Sequence, residues 1–195
     1  VVPDLGLSVG DPALTAGFYL PVRDERLPFL AIRTLADPLN LRQTRTLCRR
    51  YPRAKIVLAH VGRAYYVKNV VGHLDRLTDL DNLWFDTAML NHWEVLEYLF
   101  RKARPDRVLY ATDIPIALAP GKSVEINNQY TYLTSAPWHL SVCDTEGKVT
   151  FTSFLYEELR AIRTACEKVG VSQRYVRGFF SDNGMALLKS VGCCR

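Results

Sequence analysis

Four short apolar runs, PFLAIR (28–33), KIVLAH (55–60), LWFDTA (83–88) and RVLYAT (107–112), recur at intervals of about 24 to 28 residues. None shows the alternation of a strand with one wet face, so each reads as a strand buried on both faces. The interval decides how they connect. Two residues suffice for an antiparallel hairpin, whereas a parallel neighbour needs a crossover of a dozen or more, usually a helix. Helical patterns fill the intervals, which predicts parallel strands with right-handed crossovers. The predicted class is α/β, about four parallel βα units followed by C-terminal helices. An eight-unit (β/α) barrel needs about 250 residues and the chain has 195. The units therefore form part of such a barrel or a small open sheet.

The helices carry their own end signals. In DPLNLRQTRTLCRRY (37–51), Asp37 is placed as N-cap and Pro38 at the first helical position, where its missing N–H costs little. YVKNVVGHLDRL (66–77) sets Val67, Val70, Val71, Leu74 and Leu77 on one stripe, predicting a second helix. NHWEVLEYLFRKA (91–103) opens on Asn91 with Glu94 three positions on, a capping-box pattern. Beyond residue 113 the rhythm breaks. Residues 114–138 read as a long irregular segment, 139–152 as a hairpin turning at Glu146-Gly147, and 154–169 as a helix. That helix presents Leu155, Leu159, Ile162, Cys166 and Val169 on one face and stops at Gly170. A short helix over 181–191 closes a single domain, 1–195.

Charge and cysteine usage bound the partners. The net charge of +5 is concentrated in RQTRTLCRRYPRAK (42–55), with six basic residues and no acid. Because Leu41, Leu47, Cys48 and Tyr51 follow helical spacing, those arginines read as the solvated face of an amphipathic helix, not as a nucleic-acid surface. APGKS (119–123) ends like a phosphate loop but has Ile116 where the first glycine belongs. No run approaches the roughly 20 apolar residues of a membrane span. The five cysteines form an odd set without a CxxC pair, which suits a reducing compartment. The expectation is a soluble, cytoplasmic protein, and a chain opening on Val1 reads as a piece of something longer.

Parallel βα architectures place functional residues where strands end. Those ends are Arg33-Thr34, His60-Val61-Gly62-Arg63, Asp86-Thr87 and Thr112-Asp113. An imidazole and carboxylates converging on one mouth suit a divalent ion, Zn²⁺ above others, which activates water while a neighbouring His or Asp handles the proton. Each residue also has a plainer role: a strand-end His as a hydrogen-bonded structural group, a strand-end Asp as a cap. Arg33 and Arg63 would grip a substrate carboxylate or phosphate with their planar forks, or pair with Asp86 or Asp113 across the mouth. His73 reads as surface, His92 as near enough to a strand end to reach the mouth, and His139 as structural.

In this set the chain resembles a known family. YPRAKIVLAHVGR, LWFDTA, RVLYATDIP and the tail FFSDNGMALL look like the second half of a metal-dependent hydrolase of the amidohydrolase-related superfamily, in the aminocarboxymuconate-semialdehyde decarboxylase-like branch. The family's sixth strand ends in His before Gly, its seventh in a D-[ST] loop, its eighth in a [GA]-[ST]-D-x-P turn. The resemblance implies a partial TIM-like (β/α) barrel and a small carboxylate or amide substrate. It makes His60 the general acid/base beside the metal, itself a candidate ligand, and Asp113 a metal ligand. Asp86, with Arg33 and Arg63, then lies on the substrate side. Two departures stand out: the chain has no H-x-H, the family's first-strand metal pair, and Arg33 stands where the fifth strand normally ends in a histidine ligand. The resemblance thus implies a chain lacking the first four strands, whose open edges call for a second copy or the missing N-terminal half. The competing expectation is an inactive half-barrel serving as a binding or structural module.

Overall fold

The computed structural model describes residues 34–137 and 141–191. The run 28–33 with Arg33, as well as His139, lies outside the described residues.

Three of the apolar runs form the expected parallel sheet, in shorter strands: β1 (Ile56–Leu58), β2 (Leu83–Asp86) and β3 (Val108–Leu109), in the order β1-β2-β3. Ile56 pairs with Leu83, and Phe85 with Val108. Leu58, Leu83, Phe85 and Val108 are buried, consistent with a sheet covered on both faces. No closed barrel is present among the described residues; the parallel sheet has three strands. Trp84, at the centre, packs beneath the Arg107 guanidinium (4.2 Å) and the Lys55 ammonium (5.4 Å).

Helix α1 (Pro38–Arg50) begins as its sequence dictates, with the Asp37 carboxylate accepting the Leu39 N–H at 2.8 Å. Leu41 and Cys48 are buried, Tyr51 is exposed, and Arg45 on its flank makes a two-toothed pair with Asp79 (2.6 and 2.8 Å). The expected second helix is broken. Helix α2 covers only Val67–Val70; Gly72 then adopts φ 74, and Leu74–Arg76 continues as a 3-10 turn. Val70, Leu74 and Leu77 are buried, but Val67 and Val71 face solvent. Helix α3 (Trp93–Lys102) starts one residue later than expected, because Asn91 does not cap it. Instead the Asn91 side chain accepts the Ser123 N–H (2.9 Å) and donates to Phe154 O (3.1 Å).

Those two bonds join the parallel sheet to a second sheet that sequence patterning missed. Residues 121–134 are not irregular: β4 (Gly121–Ile126) and β5 (Gln129–Thr134) form a hairpin whose turn residues, Asn127 and Asn128, sit at φ 53 and 63. Two successive positive φ values are what a two-residue hairpin turn requires, and asparagine tolerates them. The hairpin expected at Glu146-Gly147 does not form. Ser141–Cys143 is β6, parallel to β5, and the following turn is closed by the Val149 N–H donating to Asp144 (2.7 Å).

Helix α4 (Phe154–Val169) is capped by Ser153 and ends at Gly170 in the left-handed region. Its buried face is rotated from the expected one: Phe154, Glu157, Glu158, Ala161, Ile162 and Ala165 point inward, while Leu159 is exposed. The chain finishes with α5 (Gln173–Arg177), a π turn over Gly178–Asp182 and α6 (Asn183–Ser190). Asn183 donates to Pro105 O and Val108 O (2.7 and 2.9 Å), anchoring α6 beside β3. Among the described residues no helix is long and apolar enough to cross a membrane.

The joint between hairpin and α4 leaves no room for a side chain at Gly121. An added Cβ would lie 2.7 Å from the buried Phe154 ring and 2.9 Å from Leu133 O. Overpacking of this kind costs about 1–3 kcal/mol. Gly121→Ala should lower the unfolding free energy by that amount in urea titration. Gly184→Ala, in α6 with nothing within 4 Å, should raise it by about 0.5–1 kcal/mol.

Candidate active site

The strand ends do converge. The run 55–60 leaves β1 at Leu58 and enters a left-handed turn of four consecutive residues, His60, Val61, Gly62 and Arg63, at φ 52, 49, 68 and 60. For a residue with a Cβ, each such conformation costs about 1–2 kcal/mol, and valine is among the least suited. Glycine is native to it only at position 62, where an added Cβ would also meet Leu58 at 3.0 Å. The other two loops carry the same signature: Met89, after β2, sits at φ 56, and Asp113, after β3, at φ 62. Backbone strain on side-chain-bearing residues therefore gathers at one end of the sheet, as it does at functional sites.

His60 is buried and held on three sides. Its backbone N–H donates to Asp86 Oδ1 at 2.8 Å, its Nδ1 lies 2.9 Å from Ala88 O, and its ring packs against Tyr65 with centroids 5.6 Å apart. A carbonyl only accepts, so Nδ1 carries a proton, and in the neutral imidazole Nε2 keeps a lone pair. That nitrogen faces Asp113 Oδ2 across 3.8 Å. A lone pair and a carboxylate repel one another unless a proton, a water or a cation lies between them, and the gap is wide enough for one. The Asp113 side chain is 42% exposed, so the pair opens outward.

Asp86 stands behind His60. Its Oδ1 also accepts the Ala88 N–H (3.2 Å), and burial pushes its carboxyl above the usual range, with the His60 N–H and imidazole opposing the shift. Arg63 is buried. Its guanidinium donates to Tyr130 Oη at 2.5 Å and lies over the Tyr65 and Tyr130 rings (5.7 and 5.9 Å). The β4–β5 hairpin thus closes over this side of the mouth. His92 lies instead near Lys122 and Ser123 of β4, and burial holds its imidazole below the usual range. His73 is half-buried.

One residue escaped the sequence reading entirely. Glu158, on α4, is fully buried, accepting the Met89 N–H at 3.1 Å and the Thr87 hydroxyl at 3.3 Å. Burial pushes its carboxyl up to about 8, with Asp86 and Asp113 adding to the rise against the two hydrogen bonds. Its neighbour Glu157 goes the other way: despite burial, bonds from Thr152 (2.6 Å) and Lys122 (2.9 Å) hold it below the ordinary value. The available signal was the pair Glu157-Glu158 interrupting an otherwise amphipathic helix.

A protein-family model described as amidohydrolase matches residues 14–139, which includes all three strand ends. The chain belongs to the amidohydrolase family. No curated protein and no solved structure matches it. The tail FFSDNGMALL falls beyond the matched residues. Amidohydrolases generally use divalent metals, and the mouth is where such an ion would sit. His60 Nε2 and Asp113 Oδ2 are of the right chemistry, but two donors do not close a site that needs three or four. Among the described residues no group of three or more His, Cys, Asp or Glu is arranged to hold an ion. The described residues alone do not fit a complete metal centre.

The raised carboxyl of Glu158 predicts a pH effect. Unfolded, the group loses its proton near 4.5; folded, it keeps it to about 8. Between those values the folded state binds more protons, so stability falls as pH rises and levels off above 8. Urea midpoints of the native protein and Glu158→Gln, measured from pH 5 to 9, should diverge: the native protein loses stability relative to the variant across the window. Parallel curves would show the carboxyl to be ionised throughout.

Proposed function

We propose that this amidohydrolase-family chain contributes the proton-handling side of a metal-dependent active site of the decarboxylase-like branch. It acts by hydrolysis or decarboxylation of a small carboxylate or amide, with Zn²⁺ as the preferred ion. The observation that carries the reading is the His60–Asp113 pair: an imidazole whose Nδ1 proton is fixed on Ala88 O presents Nε2 toward a carboxylate 3.8 Å away. In this reading His60 is the general acid/base and Asp113 a metal ligand, with the remaining ligands supplied from outside the described residues. When bound, the ion would lower the pKa of a water or polarise a substrate oxygen.

Each residue then has a local task. Asp86 holds the His60 backbone, while the Ala88 carbonyl fixes the ring so that Nε2 exchanges its proton only toward the mouth. Arg63, tied to Tyr130, presents cationic charge beside the pair for a substrate carboxylate, and Arg33 belongs to the same role. The cis peptide at Ile114-Pro115 follows Asp113 directly, in the turn that matched the eighth-strand motif. The sheet edges fit completion by a second copy or by an N-terminal half, in a cytoplasmic protein without a nucleic-acid or membrane partner.

The experiment is a paired substitution in the purified protein, assayed on a panel of small carboxylates and amides, with metal content measured alongside. His60→Asn should lower turnover by about 10²–10⁴-fold, the usual contribution of general acid–base catalysis, and leave metal content unchanged. Asp113→Asn should lower both. If neither the protein nor its variants take up metal in stoichiometric amount, the chain is a binding or structural module.

A further inference from the structure

A carboxyl group with no solvent exposure is a poor way to stabilise a helix packing face. An apolar side chain would avoid the desolvation cost. What Glu158 does hold is the loop that ends β2. Its two oxygens take the Thr87 hydroxyl (3.3 Å) and the Met89 N–H (3.1 Å), the residues on either side of Ala88. Ala88 is the residue that touches His60 twice over: its carbonyl receives Nδ1 (2.9 Å), and its N–H shares Asp86 Oδ1 with the His60 N–H.

We propose that Glu158 is a positioning residue for His60: by clamping Thr87 and Met89 it fixes the Ala88 carbonyl, and so decides which ring nitrogen carries the proton. The inference rests on reading His60 as the proton-handling group, but what it predicts is a property of the ring and not of turnover. Met89 is the hinge of the argument. It holds φ 56, a conformation its side chain disfavours, and the bond from its N–H to Glu158 Oε2 compensates. Without that bond Met89 relaxes toward ordinary φ, the Ala88 carbonyl turns away, and Nδ1 loses its acceptor. An imidazole free of such a partner favours the proton on Nε2, the atom that faces Asp113.

The protonation of Glu158 fits the same role. With the carboxyl pushed up to about 8, it is largely neutral at pH 7, and a neutral carboxyl still accepts the Met89 N–H and the Thr87 hydroxyl. Glutamine keeps the acceptor for the Met89 N–H in its carbonyl, and its amide reaches Thr87 Oγ1 as a donor.

The test is the imidazole ¹H–¹⁵N spectrum of the labelled protein, with His60 assigned through His60→Asn. At a pH where the imidazole is neutral, the native protein should carry the His60 proton on Nδ1. Glu158→Ala should raise the Nε2–H fraction severalfold, Thr87→Val should move it the same way by less, and Glu158→Gln should keep the native pattern. Glu158→Ala and Thr87→Val proteins that melt lower yet leave the tautomer unchanged would overturn the proposal and leave Glu158 merely structural. If Glu158→Ala does not fold, Thr87→Val, which leaves no cavity of consequence, decides alone. A shifted tautomer with unaltered turnover supports the positioning role while removing His60 from the reaction.

Discussion

The bond from the His60 backbone to the Asp86 carboxylate, 2.8 Å long, is the contact on which the rest of the mouth depends. β1 and β2 are paired in register up to Leu58 and Phe85, but a sheet ladder says nothing about where the chain goes afterwards. Asp86 settles it by reaching across to the second residue beyond the strand, which commits His60 to the left-handed turn. That turn is intrinsically unfavourable for His60, Val61 and Arg63. It persists because the surroundings oppose relaxation: Val61 is fully buried, Gly62 lies against Leu35 and Leu58, and Arg63 is pinned by Tyr130.

The site is therefore assembled from two layers with different physics. The parallel sheet supplies positions, through close-packed apolar strands that would accept many sequences of similar volume. The loops supply orientation through buried hydrogen bonds, and each of those is expensive to leave unmade. Asn91 links the two, since its side chain fastens β4 and the start of α4 to the loop after β2. The hairpin that shields Arg63 and the helix that carries Glu158 are in this way held against the same loop.

How much of this the sequence discloses follows from the same division. The parallel strands are legible at 55–60, 83–88 and 107–112 because continuous apolar runs at crossover spacing have few other uses, and Asp37 caps its helix by local chemistry alone. The β4–β5 hairpin is hidden: Asn127-Asn128 is a proper hairpin turn, but prolines on both flanks make the segment read as loop. The α2 region fails for a local reason, the positive φ of Gly72, which breaks an unbroken apolar stripe. The face of α4 fails for a nonlocal one. Periodicity ranks Leu155 and Leu159 above Glu157 and Glu158, and only the donors waiting at Lys122, Thr152, Thr87 and Met89 reverse that ranking. His60 and Asp113 are visible as residues at strand ends; the carbonyl that sets the His60 proton is a backbone atom, to which sequence motifs are blind.

The Met89–Glu158 bond spans 69 residues of chain. At a synthesis rate of about 5–20 residues per second, the loop that orients His60 waits several seconds for the carboxyl that holds it, long after all three parallel strands have been made. Until then a nascent chain has its sheet and its imidazole but not its active-site geometry. The helix that arms the site arrives well after the sheet, so a chain cut short before α4 would keep the scaffold and lack a set proton.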